Sequence, residues 1–218
     1  MKKYLYTKFI LNRFIIGINL SILGIVLIFF KKILFSIILI LLGLILILVH
    51  IFVGPIGLIQ KAIESNDLEY TKYLINTIKH PNLLYKPIKS MIYMIKSNIN
   101  INNNDFNKAI NNLKLSINNG IGYDQYEGIP YLQLGSILYK QNNIQEAIIN
   151  IKKAIQKGLP EDDNIVTAYL LLSSIYFHNK NIQKAKIYFY KVKSRKISSY
   201  ELLYKVKEMD RIISRLGR

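Results

Sequence analysis

Three stretches carry one pattern: NNDFNKAINNLKLSINNG (103–120), QNNIQEAIINIKKAIQKG (141–158) and HNKNIQKAKIYFYKVKSR (178–195). Within them Ala109, Ala147 and Ala185 recur at one fixed interval, in a chain that holds only six alanines. Phe106, Ile144 and Ile182 keep that spacing, as do Leu113, Ile151 and Phe189. One step further back lies SNDLEYTKYLINTIK, where Leu68, Thr71 and Ile75 take the equivalent places. A fixed period of about 38 residues belongs to stacked supersecondary units.

Each unit reads as a helix pair. In the last one Asp163-Asn164 is the expected N-cap, a helix runs from about Ile165 to Phe177, and His178–Asn181 makes the turn. The second helix then covers about Ile182 to Val192, with Ile182, Ala185, Tyr188, Phe189 and Val192 on one face. The small alanine lets the two helices cross closely. One pair cannot bury its apolar face, whereas several stacked pairs form a continuous core.

The order of these residues resembles the tetratricopeptide repeat family. Tyr131, Leu134-Gly135, Leu138, Ala147, Ile151, Ala154 and Pro160 carry the likeness best, followed by Tyr169, Leu172-Ser173, Tyr176, Ala185 and Phe189. Tyr93, Ala109 and Leu113 keep it with Lys96-Ser97 in place of the usual leucine and small residue, and the first unit has Thr71 for alanine. The family period is about 34 residues, so extra residues such as Gly158–Asp162 lengthen the links; Sel1-like repeats are the neighbouring family. The resemblance covers roughly residues 55–195. It implies a concave groove, lined by the first helix of each pair, that takes an extended or helical protein segment. Its positions here are Met91, Met94 and Asn98, then Leu132, Ser136, Tyr139 and Lys140, then Leu170, Ser174 and Phe177. Met94, Leu132 and Leu170 stand where family members that grip a terminal carboxylate need a basic clamp.

Ahead of the repeats the chain is apolar. FIIGINLSILGIVLIFF (14–30) and residues 33–53 hold no charge, and Lys31-Lys32 separates them. The second run spans about 31 Å as a helix, one hydrocarbon core. A buried soluble helix pair is disfavoured because so long an apolar stretch would need a core larger than this chain can build. A cleaved signal peptide is disfavoured because no small-residue site follows the run. The expected organisation is therefore a transmembrane hairpin over 1–53 (helices about 12–30 and 33–53) and a linker over 54–60. Repeats follow over 61–196, with a basic amphipathic capping helix over 197–218. The class is all-α: a hairpin, a short α-solenoid and a cap. Asn19 and Ser21 are expected to hydrogen-bond inside the hairpin. Lys2, Lys3, Lys8 and Arg13 on the first flank, with Lys61 and Lys72 beyond the second helix, put both termini in the cytoplasm.

The net charge of +17 is uneven, since residues 179–218 hold 12 basic and 3 acidic side chains. Ser198-Ser199-Tyr200-Glu201 reads as a capping box before Leu202, Val206, Met209, Ile213 and Leu216, with Gly217 as the stop. This last helix suits a solenoid cap, and its cations also suit anionic lipid. The excess of Ile, Asn, Lys and Tyr reflects an A/T-rich genome. No cysteine is present. His50, His80 and His178 are scattered, Glu161-Asp162-Asp163 reads as a solvated helix start, and phosphate-loop, dinucleotide and nucleophile-elbow motifs are missing. No catalytic, cofactor or metal residue is expected, nor a nucleic-acid or small-molecule ligand. The tyrosines are expected mostly on the apolar repeat face or in place of Phe and Trp as core residues. The reading is a membrane-anchored scaffold for a protein or peptide partner. Its alternative is a structural subunit of a larger transport, secretion or envelope complex assembled through the hairpin.

Overall fold

The computed structural model describes residues 2–215, with side chains from Tyr6 onward. Leu216 and Gly217, the expected last apolar position and stop, lie outside the described residues. Among the described residues there are eleven α-helices and no strand. The chain divides after Ile92 into two compact units.

The first unit holds α1 (Lys2–Phe29), α2 (Ile33–Val53), α3 (Ile56–Glu64), α4 (Leu68–Asn76) and the start of α5 (Lys86–Asn102). Two helical spans, Tyr6–Phe29 and Ile33–Val53, are long and apolar enough to cross a membrane. The first begins earlier than the expected residue 12. Between them Lys31 supplies the left-handed residue (φ 57°) that a glycine would ordinarily provide. The turn is closed by N–H groups of Lys31 on the Ile28 carbonyl (2.9 Å) and Lys32 on that of Leu27 (3.2 Å).

Small residues form the hairpin seam. A Cβ on Gly17 would stand 2.7 Å from the Gly43 carbonyl oxygen, and one on Gly24 would stand 2.9 Å from that of Ser36. The interhelical hydrogen bond comes from Ser36, whose Oγ donates to the Gly24 carbonyl at 2.5 Å. Ser21 bonds within its own helix to the Gly17 carbonyl (2.9 Å). Asn19 is exposed. The expectation that Asn19 bonds inside the hairpin is corrected, because at 3.6 residues per turn a step of two places it on the far side from Gly17.

At the open end of the hairpin Arg13 Nη2 donates to the Gly54 carbonyl at 2.6 Å, and Lys61 Nζ sits 4.7 Å over the Tyr6 ring. The start of α1 therefore reaches α3. The link expected over 54–60 shrinks to Gly54 and Pro55, since α3 begins at Ile56.

The repeat period is visible in the backbone. Helices α4, α6 (Phe106–Asn119), α8 (Ile144–Lys157) and α10 (Ile182–Lys193) start at the same interval that separates the alanines. Two residues before each start stands a left-handed residue, Asn66, Asn104, Asn142 or Lys180. The next residue is the cap, Asp67, Asp105, Asn143 or Asn181. Asparagine tolerates the left-handed region, and Asp and Asn satisfy free N–H groups at a helix start. Asp67, Asp105 and Asn181 accept the N–H three residues on, at 2.9, 3.2 and 3.1 Å.

The second unit comprises the rest of α5, then α6, α7 (Ile129–Lys140), α8, α9 (Asp162–His178), α10 and α11 (Tyr200–Arg215). Its core runs continuously from Ala109 and Leu113 through Ile151, Val166, Leu172 and Phe189 to Val206 and Ile213. At each crossing a small residue of the first helix meets the alanine of the second. A Cβ on Gly135 would lie 2.6 Å from Ile151 Cγ1 and 3.1 Å from the Ala147 carbonyl oxygen. One repeat later Ser173 takes that place and donates its Oγ to the Ala185 carbonyl at 2.8 Å. Among the described tyrosines Tyr176 alone is buried, so the expectation of a tyrosine core is corrected. Tyr169, Tyr176 and Tyr188 instead group at the edge of the core under the Lys184 and Lys191 ammonium groups.

This crossing sets a tolerance. Gly135→Ser, whose Cβ already meets Ile151, is expected to cost about 1–3 kcal/mol through overpacking, and Gly135→Leu clearly more. Thermal unfolding of the full chain in detergent checks the order, and equal costs would contradict the crossing.

Candidate functional site

A concavity of about 660 Å³ lies inside the second unit. It is bounded by α7, α9 and α11, the helices that present one face each to the same side. Ser136 and Lys140 come from α7, and Leu170, Ser174 and Phe177 from α9. These are five of the ten positions expected from the sequence.

The other five lie elsewhere. Leu132 is buried at 6% exposure, and Tyr139 packs against the core with its ring 6.4 Å from that of His178. Met94 also packs on the core, and Asn98 is exposed. Met91 is exposed on the part of α5 that belongs to the first unit. Core packing thus claims Leu132, Met94 and Tyr139, whereas Met91 and Asn98 are exposed away from the cavity.

Sequence reasoning missed the third wall. Glu201, Lys205, Glu208, Met209 and Ile212 of α11 line the same cavity. The signal was available: Glu201, Lys205, Met209 and Ile212 stand one full repeat interval after Asp163, Thr167, Leu171 and Ser174, which also line it. The terminal helix therefore continues the repeat register and works as a wall as well as a cap.

What fixes α11 is the acidic start of α9. Asp163 does not cap α9, whose first residue is Asp162 and whose N-cap position is Glu161. Its two carboxylate oxygens accept the N–H groups of Ser198 (2.8 Å) and Ser199 (2.9 Å) at the turn into α11. Asp162 pairs with Arg195 at 3.2 Å. The α11 cap is Ser199, whose Oγ accepts from Leu202 N–H at 3.3 Å, while Glu201 turns to Lys205 at 2.6 Å. The reciprocal capping box expected from the sequence is thus replaced by an ion pair one turn on.

The cavity has an apolar floor (Leu170, Phe177, Met209, Ile212) and ionic edges. Lys140, Lys205 and His178 lie on it together with Asp163, Glu201 and Glu208. Among the described residues no group of three or more His, Asp or Glu side chains is arranged to hold a metal ion. Burial raises the Tyr139 hydroxyl above the ordinary tyrosine range.

Residues 130–156 and 166–196 match the family model described as tetratricopeptide repeat. The chain carries tetratricopeptide repeats. The matched segments coincide with α7–α8 and α9–α10. Comparison with curated proteins returns no match. The matched segments supply two of the three helices that line the cavity, α7 and α9, and α11 lies beyond them.

Asp163→Ala is expected to cost about 1–2 kcal/mol, through two lost charge-assisted hydrogen bonds, and to speed trypsin cleavage after Arg195 and Lys196. An unchanged cleavage rate would contradict the tie. Because Tyr139 is held neutral, its packing contributes fully below about pH 10. That contribution is lost as pH rises through its raised value. The stability difference between the wild-type chain and Tyr139→Phe should therefore shift in favour of the variant above that pH, and parallel pH profiles would contradict it.

Proposed function

We propose that the chain is a membrane-anchored scaffold whose repeat groove holds a segment of a protein partner at the cytoplasmic face. The observation that carries this reading is the cavity between α7, α9 and α11, which offers an apolar floor and charges of both signs at its edges. Repeats of this kind bury a partner's side chains along such a wall. The partner segment that suits it presents apolar side chains to Phe177 and Met209 and charges of both signs at its margins.

The anchor is supported by what α1 and α2 leave uncovered. Only 22% and 11% of their most apolar windows are buried, and the side chains left outside are large and apolar. A core helix of a soluble protein hides such a surface, and lipid accepts it. The cation excess beside the hairpin supports termini on the cytoplasmic side. Exposed Tyr200, Tyr204, Lys207 and Arg211 on α11 support contact with anionic headgroups of the same bilayer.

The test is site-specific photo-crosslinking in native membranes with the full chain. A photoreactive residue at Ser174, inside the cavity, should form an adduct with one protein. The same residue at Ile149, exposed on α8 outside the cavity, should not. Phe177→Ala should lower the Ser174 adduct at least about 5-fold. Equal labelling from both sites, or indifference to Phe177→Ala, would contradict the groove.

A further inference from the structure

We propose that two copies of this chain pair in the membrane through the outer face of α1, with their Asn19 amides meeting across a two-fold axis. The proposal rests on the membrane reading above and adds an assembly to it. The inner face of α1 is already used, since Gly17, Ser21 and Gly24 lie against α2. Asn19 lies about 200° round the helix from Gly17. Its side chain is exposed, and it makes no hydrogen bond among the described contacts. In hydrocarbon an amide without a partner is strongly unfavourable.

A carboxamide carries both donors and an acceptor. Two copies of Asn19 can therefore exchange N–H···O bonds with each other, which a carboxylate or an ammonium could not do. The surrounding spacing fits a second copy. Asn12, Ile15, Asn19, Ile22, Val26 and Phe29 follow alternating steps of three and four residues, the spacing of a two-stranded left-handed coil. Ile15, Ile22 and Phe29 are 58%, 54% and 83% exposed, so the stripe is open. A polar Asn inside such a stripe fixes register and favours parallel strands. Parallel pairing also keeps both copies in one orientation, as the shared distribution of cations requires. The exposed large side chains of α2 are all apolar, and lipid tails satisfy them as well as another helix would.

The chain has no cysteine, so a single introduced thiol reports contact. Ile22→Cys in the full chain, oxidised in carbonate-washed membranes, should give a disulfide-linked dimer of twice 25.4 kDa. Ile25→Cys, exposed but about 100° away from the centre of the stripe, should stay monomeric. Adding Asn19→Leu to Ile22→Cys should lower the dimer yield about 3- to 20-fold, and Asn19→Gln should restore most of it. Equal crosslinking at both positions, a yield unmoved by Asn19→Leu, or a product of another mass would overturn the pairing. Absence of the protein from the washed membranes would sink the anchor and the pairing together. Retention there without any crosslink would sink the pairing alone.

Discussion

The second unit depends on how closely two helices approach where Gly135 faces Ala147 and Ser173 faces Ala185. With no room for a larger side chain at these crossings, each pair closes into a thin wedge. A wedge of that kind leaves its flanks apolar, so it must be covered by the next pair. Burial then runs on from Ala109 to Ile213 without a break. The turns serve the same end. A left-handed residue followed by a capping Asp or Asn stops one helix and starts the next at a fixed angle, once in every repeat. The crossing and the turn together place α7, α9 and α11 side by side, and the cavity is what remains between them.

Much of this was legible in the sequence because repeat period and helix period are both local signals. Alanines at fixed spacing gave the crossings, and His178–Asn181 gave one of the turns. The site was half legible. Ser136, Lys140, Leu170, Ser174 and Phe177 face the cavity as expected, but Leu132 and Met94 share their register and are taken up by packing. Periodicity tells which face a residue occupies and says nothing of whether a neighbour covers it. Asp163 shows the other limit. A carboxylate at a helix start reads as a cap, yet its partners are N–H groups 35 and 36 residues later, a tertiary fact no local pattern encodes. α11 was read by its amphipathic pattern alone, although continuing the repeat count would have made it a wall.

The hairpin obeys a related constraint. Gly17, Gly24, Ser36 and Gly43 let α1 and α2 approach as the repeat helices do, and Ser36 supplies the interhelical hydrogen bond. Outside that seam the side chains between Phe14 and Val49 are large and apolar, apart from Asn19 and the lysines of the turn. Arg13 and Lys61 at the open end join α1 to the loop and helix that follow α2. One rule, small residues where backbones meet and large ones elsewhere, thus builds both parts of the chain, and the medium each faces decides what the rest of the surface must be.

Hydrogen exchange of the full chain in lipid nanodiscs, read peptide by peptide, tests this account most directly. The account predicts slow exchange across residues 14–53 even in urea that melts the repeats. It also predicts slow exchange across the helices of 93–215, interrupted by fast turns near 103–104, 141–142 and 179–180. Hairpin peptides that exchange as fast as those turns, or repeats that exchange uniformly, would contradict it.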